Sequence, residues 1–473
     1  DMPGINNGAP VEGADGSASS TFRKDLFSEM LNYYTGDFKH TGSVFHTPGN
    51  PYFLTGDNLF NGNIASTQSI IHTSGTPSYL EGIQTGFKYH YDQLNRLIST
   101  QFHTYSGGMW SATNEYNENF GYDQNGNFTL LNRWANNSNT AMSIIKPEDE
   151  TQFTYDFQTN RLRRFVDQTI TPPAFKNIGD LDDTLNFDYD QTGNLVHHTN
   201  TLKANGQKED VTINWTPQGK IASETMILDS TGTKTRTITY LYDGMGNRVR
   251  KKVVATGSPV QTTYYVYTAD GKLLASYDDF SYVGGYSISE RYLYGLDRVG
   301  IMRGPNAVSG GTVSQLASVD FELKDHLGNV RAVFSNNDSV TRPGEPQVRA
   351  FYNYYAYGSP QYYRSKNVLS YKFGFNGQEK DNEVLGAGNL NTAMFWEYDT
   401  RLGRRWNLDP VDQVYASNYS VLGTNPIWRT DPLGNVDNTY EVDGTTGAYK
   451  QIDNKGGDKI DYINVKGGQS NRI

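Results

Sequence analysis

The chain of 473 residues is acidic and polar, with a formal net charge of -10 and only 36% hydrophobic residues. This charge argues against nucleic acid as a partner, because a nucleic-acid binder needs a basic face to neutralise phosphates. The sequence has no run of about eighteen apolar residues, which excludes a transmembrane helix. It also has no cysteine, which excludes disulfides and thiolate-ligated metal sites. The 34 tyrosines and 48 glycines are typical of a large sheet with many tight turns.

The N-terminal segment is predicted to contribute little to a core. Residues 1–20 are mostly Gly, Ser, Ala, Asn and Asp, and we expect a flexible leader there. They contain neither a charged n-region nor an apolar h-region, so we expect no signal peptide and either a cytoplasmic chain or a mature, trimmed one. Between residues 26 and 34 apolar side chains recur at helical spacing, but the segment equally fits a short strand that ends in a turn at 35–37.

From about residue 60 the sequence is a repeat of the form aromatic-x-Tyr-Asp-x-x-Gly-Asn, followed by a hydrophobic run. The central aromatic residue of seven such units lies at positions 91, 122, 155, 189, 215, 242 and 267. Alternate aromatic residues fit one face of a strand, Asp can cap a turn, and Gly-Asn supplies the positive φ values of a tight hairpin. Each unit is therefore predicted to be a β-hairpin.

One hairpin of this kind cannot bury its own aromatic row, whereas hairpins stacked side by side can. We therefore predict an all-β fold, a continuous and strongly coiled antiparallel sheet. The alternative is a set of unrelated hairpin domains, and the regular spacing of the repeats argues against it.

The repeats resemble the YD repeats of Rhs-type proteins, which are related to teneurins and to insecticidal-toxin C components. Five ordered motifs downstream are similar to the Rhs-repeat-associated core: DHLGNVR at 325–331, YYAYG at 354–358, FGFNGQEKD at 373–381, YDTRLGRRWNLDP at 398–410 and NPIWRTDPLG at 425–434. The match covers about residues 60–435, and two upstream phrases, YYTGDF and NGNI, resemble Bacteroidota-type members.

This resemblance implies a spiralling β-shell that is closed at its C-terminal side by the associated core. It divides the chain into a leader (1–20), the N-terminal part of the shell (21–85), the YD-repeat β-shell (86–320), the Rhs-repeat-associated core (321–435) and a variable tail (436–473). Since the repeat part is short, we expect a small or partly open cage with little room for a passenger.

The resemblance also implies a catalytic pair, Asp409 and Asp431, each of which precedes a proline. In the family, aspartates of this region cut the chain just after the DPxGL sequence and release the passenger. Two carboxylates that share a proton can do this, one as a base toward water and the other as an acid, and Arg404 or Arg405 would supply positive charge. Asn435 stands where the family usually has Leu, and the alternative is that Asp-Pro simply initiates turns.

The remaining residues suggest no other chemistry, and we predict neither a cofactor nor a metal site. The eight histidines lack HExxH or paired metal-ligand spacing, and His326 in the DHLGN turn is expected to be structural. Among the tyrosines of 352–357 and 362–363, alternate residues are predicted to be inner-face core and the rest to decorate the sheet; the alternative is a surface that stacks on sugars or a partner protein. The tail is a truncated effector, a vestigial tip or a strand-forming end piece, and its sequence leaves these open.

The predicted function is a non-enzymatic, secreted or cell-surface shell that encloses or displays a C-terminal effector segment, as in polymorphic toxins. One alternative is a structural, adhesion or scaffold subunit of a surface secretion or motility assembly, with outer-membrane partners. Another is an aspartyl autoprotease that releases the tail in a single turnover.

Overall fold

The computed structural model describes most of the repeat region and the core. The described residues are 4–6, 9–11, 27–35, 54, 56–72, 82–134, 147–167, 184–200, 209–280, 285–303, 318–339, 342–361, 364–366, 371–411, 416–435, 439–443, 449–452 and 465–466.

The protein is all-β, and 22 of its strands form one antiparallel sheet that closes on itself. Two short paired strands, β1 (Gly4–Asn6) and β2 (Ala9–Val11), precede it within the predicted leader. The first half of the closed sheet consists of β3 (Phe27–Asn32), β4 (Ser66–His72), β5 (Gly82–Tyr91), β6 (Leu97–Ser106), β7 (Met109–Ala112), β8 (Glu118–Tyr122), β9 (Phe128–Trp134), β10 (Pro147–Tyr155), β11 (Leu162–Asp167), β12 (Thr184–Tyr189) and β13 (Leu195–Asn200). The second half consists of β14 (Asp210–Trp215), β15 (Ile221–Ile227), β16 (Thr235–Tyr242), β17 (Arg248–Ala255), β18 (Gln261–Tyr267), β19 (Leu273–Phe280), β20 (Gly285–Tyr294), β21 (Arg298–Arg303), β22 (Ser318–Lys324), β23 (Val330–Ser339) and β24 (Arg342–Phe351).

Strands that are consecutive in the chain are neighbours in the sheet, and β24 lies beside β3 to complete the closure. This order confirms the prediction of one continuous hairpin sheet over separate hairpin domains. Segment 27–32, which fitted either a helix or a strand, is strand β3 and pairs antiparallel with β4 along its whole length. Pairing with a neighbouring strand outweighs a helical spacing of apolar residues in so short a segment.

Most repeat turns are capped by the aspartate after the central aromatic residue, as the turn between β8 and β9 illustrates, and Thr216 and Thr268 have this role in their turns. The Oδ1 atom of Asp123 accepts hydrogen bonds from the backbone N–H groups of Asn125 (2.9 Å) and Asn127 (2.8 Å). Its Oδ2 atom accepts a third from the Asn127 side chain, at 2.9 Å. Gly126 adopts φ +76, a value that glycine reaches without strain. The Asp and Gly-Asn positions therefore have the turn roles that the sequence predicts.

The central aromatic residue of a repeat ties it to the preceding repeat. Its hydroxyl, or the indole N–H of Trp215, donates to the carbonyl oxygen of the residue that opens or precedes the earlier return strand, at 2.7 to 3.0 Å. The pairs are Tyr91–Ile64, Tyr122–Leu97, Tyr155–Phe128, Trp215–Leu195, Tyr242–Ile221, Tyr267–Arg248, Tyr294–Leu273 and Tyr354–Val330. The last two pairs show that the repeat continues beyond the seven units visible in the sequence.

The segment after β24 is less regular and packs against the buried face of the closed sheet. It contains strands β25 (Glu379–Lys380), β26 (Leu390–Thr392), β27 (Glu397–Asp399) and β28 (Arg404–Arg405), which form a four-stranded sheet, and the one-turn helix α1 (Asn382–Leu385). Two 3-10 turns lie at Phe375–Gly377 and Leu422–Thr424.

Hydrophobic clusters combine side chains of this segment with side chains of the repeats. Tyr357, Trp396 and Tyr398 share one cluster with Phe102 and Phe128 of the sheet. Within the tyrosine-rich row, Tyr352, Tyr355 and Tyr357 are buried and Tyr354 is half-buried, so these rings pack in the core rather than alternate between core and surface, whereas 362–363 lie outside the described residues. The aromatic rows of the repeats are therefore buried by the C-terminal segment as well as by each other.

The described part of the tail forms a separate three-stranded sheet of β29 (Thr439–Asp443), β30 (Tyr449–Ile452) and β31 (Val465–Lys466). Strand β29 pairs antiparallel with β30 and parallel with β31. No helix within the described ranges is long and apolar enough to span a membrane.

Candidate functional site

The turns of the repeats meet the C-terminal segment along a shared seam. Backbone and side-chain hydrogen bonds cross it from Ser417 N–H to the Asn125 carbonyl (2.7 Å), from the Tyr419 hydroxyl to the Gly193 carbonyl (2.6 Å), from the Asn425 amide to the Asn95 carbonyl (2.9 Å) and from the Arg298 guanidinium to the Gly377 carbonyl (2.8 Å). These contacts come from four different turn regions, so the segment is held along much of the turn-bearing edge.

Asp431 lies on this segment and caps a tight turn. Its buried carboxylate accepts hydrogen bonds from the backbone N–H groups of Gly434 (2.8 Å) and Asn435 (3.1 Å). Gly434 has φ +82, and a Cβ atom there would lie 2.6 Å from Cγ of Trp396. The turn therefore requires glycine, both for its backbone conformation and for the close approach of the indole.

Arg405 connects Asp409 to the same turn. Its side chain is fully buried and forms an ion pair of 2.9 Å with the Asp409 carboxylate. The same guanidinium donates to the carbonyl oxygens of Gly434 (2.9 Å) and Phe395 (2.8 Å). The two predicted aspartates are thus linked through one arginine, which binds the carboxylate of the first and the turn capped by the second.

Arg404, which was predicted to supply positive charge, contacts the repeat turns instead. Its guanidinium donates to the Asn127 side chain at 3.3 Å and to the Asn160 carbonyl, and it lies 4.5 Å from the ring centre of Tyr419. Arg404 and Arg405 are adjacent on β28, and neighbouring side chains of a strand point to opposite faces. This alternation was the available signal that only one of the two arginines can reach Asp409.

Gln378 is a further residue of the site that the sequence analysis did not single out. Its side-chain amide donates to the carbonyl oxygens of Asp431 (2.8 Å) and Pro432 (3.2 Å), and its own oxygen accepts from the indole of Trp396 at 3.1 Å. The FGFNGQEKD motif therefore holds the carbonyl groups of the Asp-Pro turn, whose amide groups are capped by Asp431.

The DHLGN motif ties the first strand of the sheet to the segment. The backbone N–H of His326 donates to Glu29 at 3.0 Å, its Nδ1 lies 3.3 Å from the same carboxylate, and its Nε2 lies 2.9 Å from the Ile427 carbonyl. Burial acts to lower the pKa of His326, but the Glu29 carboxylate outweighs it and raises that pKa to about 9. The contacts agree with the structural role expected for His326.

A buried ionic network lies deeper in the seam, around Asp381. Its carboxylate accepts hydrogen bonds from the Tyr240 hydroxyl (2.7 Å) and from the Lys251 ammonium (2.8 Å), both of which belong to repeat strands. Burial acts to raise the pKa of Asp381, but the charges of Lys251 and Arg248 outweigh it and the pKa is lowered. Across the described residues, no three His, Asp or Glu side chains are grouped so as to hold a metal ion.

Comparisons with known proteins give distant structural neighbours only. No family model and no curated protein matches the chain. Among solved structures, a TcdB2-TccC3-Cdc42 structure is 17% identical with a TM-score of 0.37, over 79% of this chain and 20% of that chain. A Photorhabdus luminescens Tc holotoxin pore with a mutated TccC3 gives 16% identity and a TM-score of 0.37, over 82% and 20%.

A porin-like protein from Bacteroides uniformis is also similar, at 11% identity and a TM-score of 0.24, over 58% of this chain and 90% of that chain. The chain spans about a fifth of the length of the toxin-complex chains that it matches. These neighbours are too distant to assign a family, so the Rhs-type resemblance rests on the sequence motifs.

Proposed function

We propose that the protein is a secreted or cell-surface β-shell carrier that encloses or displays the segment after residue 435. The observation that carries this proposal is the seam, where the C-terminal segment is bonded to repeat turns along the edge of a closed sheet. A carrier needs such a closure, because its wall must stay shut whatever follows it in the chain.

The attachment point of the tail supports the same proposal. The Thr430 hydroxyl bonds to the Leu327 carbonyl at 3.1 Å, and Gln378 and Arg405 hold the carbonyl oxygens on either side of Leu433. The chain is therefore fixed by the turn at 431–435 just before the tail begins. A passenger of any sequence can follow such an anchor without contributing to the stability of the shell.

Limited proteolysis of the full chain, followed by intact-mass analysis, tests the proposal. We expect either a chain whose tail is protected until denaturant opens the shell, or a resistant fragment that ends near residue 435 because the tail is cut at once. Protection of the tail would indicate an enclosed segment, and immediate cleavage would indicate a displayed one. Digestion of the C-terminal segment 371–435 at the same rate as the tail would contradict a carrier that is closed by this segment.

A variant of the C-terminal segment makes this test more specific. The buried Tyr398 donates a 2.6 Å hydrogen bond to the Tyr357 carbonyl, so Tyr398→Ala is expected to open the seam and speed the digestion of the core. Leu296→Ala is the matched control, because Leu296 is 97% exposed. Stoichiometric co-purification with outer-membrane proteins, with an unprotected tail, would favour the scaffold alternative.

Single-turnover self-cleavage is a second candidate function, and the link from Asp409 through Arg405 to Gly434 favours it. A guanidinium that donates to a backbone carbonyl polarises that carbonyl group toward attack by water, and a carboxylate can act as the base that activates the water. The intact mass of the native protein tests this candidate. A product that ends near residue 435, and is lost in Asp431→Asn, would support it, whereas an uncut native chain would contradict it.

A further inference from the structure

A cavity of about 210 Å³ lies where three repeat turns meet the core hairpin 392–397, beside Leu433 of the anchored turn. Five aromatic side chains line it, and they come from both sides of the seam: Trp215, Tyr242, Tyr267, Phe395 and Trp396. A pocket with aromatic walls and a few polar groups is the usual form of a small-ligand site, and this volume fits a ligand smaller than a drug molecule.

Two cationic side chains line this cavity, and each has a buried donor without an acceptor among the described residues. The ammonium nitrogen of Lys220 is buried, lies 4.6 Å from the ring centre of Phe395, and has no hydrogen-bond acceptor among the described residues. The Nε of Arg248 likewise lacks an acceptor in the described part of the chain, although another nitrogen of its guanidinium donates to Thr392 at 2.8 Å. Buried donors without acceptors cost free energy, which a bound anion would recover.

The conformation of the Lys220 side chain depends on a glycine in the turn between β16 and β17. A Cβ atom on Gly246 would lie 3.3 Å from Cε of Lys220 and 3.7 Å from its Nζ. The lysine therefore lies closely against the backbone of the neighbouring turn, which keeps its ammonium at the cavity wall. Burial lowers the pKa of Lys220, as expected for a desolvated ammonium.

Glu397 is, with Glu379, one of the two acidic residues that line the cavity, and it is 7% exposed. Its Oε1 accepts a hydrogen bond of 2.8 Å from Thr392, and its Oε2 has no partner among the residues described. Burial is the main cause that raises the pKa of Glu397 to about 8; Arg248 and Lys251 act in the opposite direction and Asp381 in the same one. At neutral pH the carboxyl is mostly protonated, so it can donate a hydrogen bond to an anion.

Lys220 is the cation of the cavity wall that has no partner among the described residues. Arg248 lies 3.7 Å from Glu379 and 3.8 Å from Glu397, whose raised pKa favours the neutral acid at neutral pH. We propose that this cavity binds a small carboxylate with a flat apolar body, whose oxygens contact Lys220 and Arg248 and whose body packs against the aromatic walls. Stacking on aromatic faces and charge-assisted hydrogen bonds would then act on the two halves of one ligand.

Titration of benzoate into the full chain, followed by calorimetry, tests the proposal. We expect binding that is at least tenfold weaker in Lys220→Met and largely retained in Lys220→Arg. Lys234→Met is the matched control, because Lys234 is an exposed lysine of the loop between β15 and β16. This variant is expected to leave the affinity unchanged. Urea midpoints of all variants establish that each remains folded.

Two further measurements separate this proposal from non-specific binding. The uncharged amide benzamide is expected to bind at least tenfold more weakly than benzoate, and benzoate binding is expected to fall above pH 8 as Glu397 ionises. In the Glu397→Gln variant, the affinity for benzoate is expected to stay constant above pH 8. The proposal is overturned if benzoate does not bind, if Lys220→Met binds it equally well, or if benzamide or inorganic phosphate binds as tightly.

Discussion

The hydroxyl of Tyr242 donates a hydrogen bond of 2.9 Å to the carbonyl oxygen of Ile221, 21 residues earlier in the chain. The same bond joins repeat to repeat in seven other places, so it is part of what makes the separate hairpins one sheet. It satisfies a carbonyl beside the repeat turn and buries the ring at the same time. This double role explains why the repeat uses tyrosine, and why Trp215, which has an N–H in a similar place, can replace it.

Tyr242→Phe keeps the ring and deletes the bond, and we expect it to lower the free energy of unfolding by about 1 kcal/mol. Urea denaturation checks this as a lower midpoint with an unchanged m-value. The control is Tyr277→Phe, a half-buried tyrosine of β19 outside the repeat position. Equal effects of the two substitutions would contradict the role of the bond.

The glycines of two repeat turns provide a test of the seam. Gly193 and Gly219 both have positive φ values, +97 and +72, so alanine is strained at either position. A Cβ atom on Gly193 would lie 2.8 Å from Leu408 and 3.0 Å from the Tyr419 hydroxyl, whereas one on Gly219 meets nothing within 4 Å. We therefore expect both alanine variants to lose about 1 to 2 kcal/mol of stability, and Gly193→Ala to lose more.

Proteolysis distinguishes the two glycine variants further. Because the extra clash at Gly193 pushes against the C-terminal segment, Gly193→Ala is expected to expose the seam around residues 408–419 to cleavage. Gly219→Ala should show the native cleavage pattern at the same denaturant concentration. Identical patterns would mean that the segment does not rest on this turn.

Much of the sheet could be predicted from the sequence, because each turn carries its own chemistry. Asp123, Gly126 and Asn127 have the roles that a capped hairpin requires, and these roles depend only on local geometry. The repeat pattern does not reveal the unit at Tyr294, because its turn reads Gly-Leu-Asp and lacks the usual Asp after Tyr. The cross-repeat bond, which does identify that unit, joins residues 21 apart and cannot be seen in a local pattern.

The candidate site could be predicted only in part, because it is assembled by contacts between distant segments. The sequence points to Asp409 and Asp431 through their prolines, but the residue that joins them is Arg405. Gln378 lies more than fifty residues before the turn that it holds, so no spacing rule could place it there. The burial of the Asp381 network likewise depends on strands far away in the chain.

The pair of His326 and Glu29 predicts a pH-dependent stability. The folded-state pKa of His326 is about 9, above its ordinary 6.5, so its contribution is fully present below pH 6.5 and is lost as the pH rises through 9. At about 1.4 kcal/mol per unit, this contribution is up to about 3 kcal/mol. We expect the free energy of unfolding to fall across this window in the native protein and to fall less in His326→Gln.

Urea denaturation at a series of pH values checks this slope. His90→Gln is the control, because His90 is a more exposed histidine of β5. Glu29 has a lowered pKa, so its own contribution is lost as the pH falls below its ordinary range, and Glu29→Gln should remove both slopes. A His326→Gln variant with the native pH profile would show that the pair does not stabilise the closure.

Arg405 predicts the strongest effect of any single substitution near the anchored turn. Arg405→Met leaves the buried Asp409 carboxylate without its ion-pair partner and removes the donor to the Gly434 carbonyl, a change that typically costs about 3 to 5 kcal/mol. Its matched control is Arg404→Met, an equally buried neighbour that contacts the repeat turns instead. We expect Arg405→Met to loosen the turn at 431–435 and make the chain there sensitive to protease, with Arg404→Met affecting the turns at Asn127. If both variants expose the same site, the two arginines act only through the general stability of the core, and the connection from Asp409 to Gly434 has no separate role.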